Sequence, residues 1–233
     1  MTSTYAAERK YVGNIAANYV KGRADKPNWQ WEQGQVEAWV RSLPKGASIV
    51  DVPFGTGRYV PFYRSMGLKV SGVDISADMI KAAEQELGSA FQGIDARVGR
   101  AEALPYEDAS FDYLLSGRFI QWLPDMKTVE QALGEFSRVT RREMLLQLNI
   151  PAGQVRKKQP LGERVKKWAS KPFTSLNRLW RRAIRHPSMD IKTTFHREPD
   201  VIAAAERQGW TLREIGRECP SSPGVRFYRF VKA

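Results

Sequence analysis

Between residues 46 and 150 the chain alternates short apolar runs with longer amphipathic stretches, and this alternation limits the fold more than any other feature of the sequence. Apolar runs at 48–52, 69–74, 96–99, 111–116 and 143–150 read as strands. Between them, 58–66 reads as a helix closed by Gly67 and 77–87 as a helix closed by Gly88. Met126, Val129, Leu133, Phe136 and Val139 recur by threes and fours and mark the buried stripe of a third. Strands that alternate with helices pair in parallel and are covered on both faces. Farther on, Pro199 opens a helix that Gly209 stops, and runs at 210–216 and 225–231 flank Cys-Pro-Ser-Ser-Pro-Gly as a hairpin. The expected architecture is α/β, a doubly wound, mostly parallel seven-stranded sheet.

The 233 residues suit one domain of this kind. Residues 1–45 read as an N-terminal helical cover, with Ile15 and Tyr19, then Val36, Trp39, Val40 and Leu43, at helical spacing around a break at 22–28. Residues 46–150 form the core, 151–197 an insertion, and 198–233 the last helix and hairpin. No apolar stretch approaches the length of a membrane span. The N-terminus is charged at once, and Cys219 is the single cysteine, so the expected setting is cytoplasmic and reducing. Two histidines and one cysteine without close spacing do not make a usual metal site.

The sharpest local pattern is Ile49-Val-Asp-Val-Pro-Phe-Gly-Thr-Gly57, a strand that enters a glycine-bearing turn before a helix. Ligands of open α/β sheets bind at the carboxyl ends of the strands, where this turn falls. Gly55 and Gly57 remove side chains that would hold a ligand off the backbone. Asp74 ends the second strand, and a carboxylate there accepts hydrogen bonds from ribose hydroxyls. A dinucleotide fingerprint would need its third glycine at Val60, and no Gly-Lys-Ser/Thr follows.

Four ordered stretches resemble the class I methyltransferases that use S-adenosylmethionine (SAM), especially the small-molecule kind called type 11. They are DVPFGTG, GVDISADMI, GRAEALPYEDASFDYLLS, and the helix bearing Leu133, Glu135, Arg138 and Val139. The resemblance runs from about residue 47 to 147 and implies a Rossmann-like fold with SAM as cofactor. It implies that Asp51, Gly55 and Gly57 line the methionine half and that Asp74 holds the ribose. Ile75 and Met79 would flank the adenine, and Ala101 with Glu102 would border its amine. Ser116 and Arg118 would lie near the sulfonium, and Trp122 resembles an active-site aromatic. The chain departs from the pattern at Pro53, where the family has its first glycine, at Arg100, where an aspartate is common, and at Gln121, often histidine.

Methyl transfer from a sulfonium is an in-line displacement, for which alignment supplies much of the acceleration. A base is needed only when the acceptor must lose a proton. Candidate catalytic residues are His186, Tyr11 and Tyr19; His196, just before a helix start, reads as a surface or capping residue.

The net charge is +12, and thirteen cations against only Glu163 and Asp190 lie between residues 154 and 197. In the resembled family the region after strand five contributes to acceptor recognition. Candidate anion-binding residues here are Arg156, Lys157, Lys158, Trp168, Arg178, Arg181, Arg182 and Arg185, with helices expected at 161–169 and 174–184. The expected partner is a small anionic acceptor, including a lipid- or glycan-linked one, gripped by arginine forks. RNA is the alternative, since cations interleaved with tryptophans track phosphates and stack bases. Apolar stripes beside the cations also fit peripheral contact with an anionic membrane. A catalytically silent fold that binds nucleic acid or a partner is the rival outside enzymes.

Overall fold

The computed structural model describes residues 23, 25–150 and 193–233. The elements are α1 (Pro27–Val40), β1 (Ser48–Asp51), α2 (Val60–Ser65), β2 (Lys69–Asp74), α3 (Ala77–Leu87), β3 (Asp95–Val98), β4 (Phe111–Ser116), α4 (Met126–Val139), β5 (Thr140–Asn149), α5 (Glu198–Arg207), β6 (Trp210–Ile215) and β7 (Val225–Lys232). The expected stretches around 5–22, 161–169 and 174–184 lie outside the described residues. So do Tyr11, Tyr19, His186, Arg156, Lys157, Lys158, Trp168, Arg178, Arg181, Arg182 and Arg185.

The seven strands form one sheet in the order β3-β2-β1-β4-β5-β7-β6. Pairing is parallel from β3 to β5, and β7 runs antiparallel between β5 and β6. The hairpin thus doubles back, with its second strand inserted next to β5.

Period-two alternation divides the core. Val50, Leu114, Met144, Leu146 and Tyr228 face a cluster with Val129, Leu133 and Phe136 of α4 and Val201 and Ala204 of α5. Ile49, Tyr113, Leu115, Leu145 and Phe227 face the opposite cluster with Val36 and Val40 of α1, Tyr63 of α2 and Ala83 of α3. Both sheet faces are therefore buried, which the continuous apolar runs of β1 and β4 require.

Local chemistry fixes the ends. Ser76 caps α3 by accepting from the Met79 amide, and Asp125 caps α4 by accepting from the Thr128 amide at 2.8 Å. Pro27 and Pro199 sit in the first turns of α1 and α5, where a missing N–H costs nothing. The helix expected at 58–66 begins only at Val60, because Arg58 and Tyr59 are spent on a turn after Gly57. Arg58 is thereby freed to reach α1.

Glu135 and Arg138, two residues of the quoted helix pattern, secure the loop before β4. Glu135 accepts from the Leu104 amide at 2.7 Å, and Arg138 donates to the carbonyls of Leu104 (3.0 Å) and Tyr106 (2.7 Å). Arg138 also pairs with Glu135 and Asp108.

Candidate active site

A cleft of about 960 Å³, partly open to solvent, lies at the carboxyl ends of β1, β2 and β4. The chain order reverses direction between β1 and β4, the point where open α/β sheets part to admit ligands. Asp51, Pro53, Gly55, Asp74, Ile75, Met79, Ala101, Arg118 and Trp122, all expected site residues, line it. Trp29, Phe54, Thr56, Arg58, Tyr59 and Phe119 line it as well.

Asp74 is held from two sides. Its Oδ2 accepts from the Gly55 amide at 2.8 Å and its Oδ1 from the Ser76 amide at 2.9 Å. Burial raises its pKa from the ordinary carboxylate value to about 6, against the pull of those amides. Each oxygen keeps a lone pair for a further donor, and a Cβ on Gly55 would meet only the Met79 methyl at 3.7 Å. A rigid acceptor beside an open backbone and the apolar Ile75 and Met79 fits a nucleoside.

Asp51, at the end of β1, is 4% exposed and accepts from the Tyr63 hydroxyl at 3.3 Å. Burial holds its pKa well above the ordinary value, and the neighbouring Asp74 adds to the rise. A cationic ligand group placed here would return charge that burial has made costly.

Opposite these carboxylates lies a cationic wall. Glu32 of α1, 2% exposed, pairs with Arg58 and with Arg118, each at 3.2 Å. Gln147 of β5 donates from Nε2 to Glu32 at 3.0 Å and accepts the Arg118 amide at 3.0 Å. Arg58 stacks 3.7 Å above the Trp29 ring and also donates to the Trp29 carbonyl and to Gln33. Arg118 adopts φ 56, a left-handed conformation that these two partners sustain.

Four expected residues stand outside the lining. Gly57 is packed from the other side: a Cβ there would meet Leu87 Cδ1 at 2.6 Å and the Phe54 ring at 3.1 Å, so its hydrogen makes room for side chains. Arg100 and Glu102 pair with each other at 2.8 Å beside Ala101. Ser116 is fully buried, and its Oγ has no hydrogen-bond partner. His196 does not cap α5. Its Nε2 lies 3.0 Å from the Leu123 carbonyl, and the neighbouring Thr194 amide donates to the Gln121 carbonyl at 2.8 Å. These two contacts moor the chain just after residue 192 beside Trp122.

Trp29, Glu32 and Arg58 were not singled out from the sequence. Their one signal was Trp29 and Glu32 at helical spacing on the face that also carries Val36 and Trp39. Among the described residues no group of three or more histidine, cysteine, aspartate or glutamate side chains is placed to hold a metal, and no helix is long and apolar enough to cross a membrane.

Residues 50–146 match the family described as "Methyltransferase domain". Demethylmenaquinone methyltransferase of Bacillus licheniformis is 32% identical over 133 residues, 56% of this chain and 51% of that protein. Malonyl-[acyl-carrier protein] O-methyltransferase of Hamiltonella defensa is 37% identical over 97 residues, 42% of this chain and 35% of that protein. The chain spans about half or less of the length of these curated relatives. Among solved structures, magnesium protoporphyrin IX methyltransferase of Synechocystis PCC 6803 with bound SAH superposes with TM-score 0.68 at 16% identity, covering 97% of this chain and 98% of that one. The fold and site define a nucleoside-binding, doubly wound α/β domain. With the match at 50–146, the chain belongs to the class I SAM-dependent methyltransferase superfamily.

Proposed function

We propose that this protein transfers a methyl group from SAM to an anionic acceptor, a small molecule or a lipid- or glycan-linked one, chiefly by proximity and orientation. The observation that carries the donor half is Asp74, fixed by the Gly55 and Ser76 amides inside a cleft otherwise lined largely by apolar groups. SAM supplies a methyl group already activated for displacement. The residues bind and align: Asp74 accepts from the ribose, Ile75 and Met79 flank the base, and Asp51 faces the amino-acid end. Trp29, Trp122 and Phe119 keep water from the reacting centre, where a displacement gains most from a dry, oriented approach.

The acceptor half rests on charge and position. The cationic stretch 154–197 leaves the sheet after β5 and returns where Thr194 meets Gln121, beside Trp122 of the cleft. An anionic acceptor is the partner such a stretch selects. RNA is the second reading, favoured by Trp168 and Trp180 within the cationic run.

Calorimetric titration of the full chain with SAM and S-adenosylhomocysteine (SAH), beside Asp74→Ala, tests the donor. Binding to the wild type that the variant loses supports it; a folded wild type that binds neither ligand ends it. Salt dependence then separates the acceptors, since many phosphate contacts give a steep slope and a small anion a shallow one.

A further inference from the structure

The cleft has an acidic end and a basic end, and the sheet order sets their sequence. Asp74, Asp51 and Arg118 stand at or just beyond the carboxyl ends of β2, β1 and β4, three neighbouring strands. Adjacent strands lie about 4.8 Å apart, so these three groups form a row across the cleft. The apolar Ile75, Met79 and Ala101 cluster at the Asp74 end, and Trp29 lies at the other.

Charge along the row is uneven. One carboxylate, Glu32, serves two guanidiniums, so this wall keeps a net positive charge. Arg58 is largely spent on α1: Nε donates to Gln33, Nη1 to Glu32 and Nη2 to the Trp29 carbonyl, with its side chain 11% exposed. Arg118 keeps 35% of its side chain exposed and lines the cleft. Its left-handed backbone is held by Gln147, the same residue that holds Glu32. This is a built position, since such a conformation persists only where its surroundings fix it.

We propose that Arg118, set by Glu32 and Gln147, binds the α-carboxylate at the amino-acid end of the donor. This rests on the donor reading above. An α-amino acid is a zwitterion, and the row answers it in order, with a carboxylate at Asp51 for the ammonium and a guanidinium at Arg118 for the carboxylate. Glu32 and Gln147 are positioning residues, touching the guanidinium or its backbone rather than the ligand. Charge-assisted hydrogen bonds to a carboxylate, partly shielded by Trp29, outweigh neutral ones.

The test compares SAH with 5′-methylthioadenosine, which keeps the nucleoside and sulfur but lacks the amino-acid end. Both are titrated calorimetrically into the full chain. Arg118→Met is expected to weaken SAH by about 10- to 100-fold and to leave methylthioadenosine within about twofold. Arg118→Lys, which keeps the charge, is expected to retain most of the preference for SAH. Equal weakening of both ligands in Arg118→Met assigns the residue to the fold alone and overturns the proposal, as does unchanged SAH binding. A variant too unstable to bind methylthioadenosine hands the decision to Arg118→Lys, for which loss of the SAH preference overturns it. Failure of the donor reading looks different, because the wild type then binds neither ligand.

Discussion

The backbone amide of Gly55 donates to Asp74 Oδ2 at 2.8 Å across nineteen residues of sequence, tying the glycine turn after β1 to the end of β2. The bond makes one rigid object of two segments that a ligand must touch together. It also places an ionisable group where burial opposes its charge, and a pH dependence follows.

Burial raises Asp74 from 3.8 to about 6, so between those values the folded, empty protein binds a proton that the unfolded chain does not. The stability Asp74 contributes is therefore full below its unfolded pKa and is lost as pH rises through about 6. Asp112, Asp125, Glu130, Glu135 and Glu143 are shifted downward and act oppositely, so a difference isolates Asp74. The melting temperature of Asp74→Asn relative to wild type is expected to rise between pH 4.5 and 7.5, about the window set by the two values. Wild-type affinity for SAH should strengthen over the same range, since the ionised carboxylate is the better acceptor. Melting curves at stepped pH, with and without SAH, check both.

Glu32→Gln keeps the shape of the side chain and removes the charge that two arginines share. Removing one partner from a buried pair costs about 3–5 kcal/mol, and the part-exposed Arg118 places the expected loss near the lower figure, about 3 kcal/mol. The double variant Glu32→Gln with Arg118→Met is expected to recover part of that loss. Urea unfolding of the single and double variants gives the coupling directly.

Gly72→Ala introduces a methyl group into occupied space. A Cβ there would lie 2.0 Å from Cδ2 of Phe54, whose amide is anchored to the Val73 carbonyl at 2.8 Å. The ring must leave its place, at an expected cost of about 1–3 kcal/mol. Because Phe54 also lines the cleft, SAH affinity should fall with stability. Phe54→Leu in the same chain is expected to return part of both, read by thermal melting and calorimetry.

Arg138→Ala removes donors from the Leu104 and Tyr106 carbonyls and leaves Glu135 with the Leu104 amide alone among these partners. The expected loss is about 1–3 kcal/mol. It should be local: hydrogen exchange at the Tyr106 and Ala109 amides speeds up, while exchange in β1 and β4 changes far less.

Much of the architecture was legible because it is written locally. β4 begins and ends where its apolar run does, at Phe111 and Ser116, and the glycines at 67, 88 and 209 mark turns where the chain takes positive φ. Asp74 was legible for the same reason, as a carboxylate at a strand end after a glycine turn. The cationic wall was not, because Glu32 meets Arg118 across eighty-six residues and Gln147 across one hundred and fifteen. On α1 such a glutamate reads as a solvated charge. Gly57 misled for a related reason, since a glycine demanded by neighbouring side chains and one demanded by a ligand look alike until Leu87 and Phe54 are in place.

The moorings at the two margins of the cationic stretch have an evolutionary corollary. Before it, the Ile150 amide is fastened to the Gly224 carbonyl; after it, the Thr194 amide is fastened to Gln121. With both margins pinned to a sheet that is already complete, the entropy of closing the intervening chain grows only logarithmically, about 0.6 kcal/mol per doubling of its length. The span between them is a replaceable cassette: it can be lengthened, shortened or recoded for another acceptor while the donor chemistry beneath it is inherited unchanged.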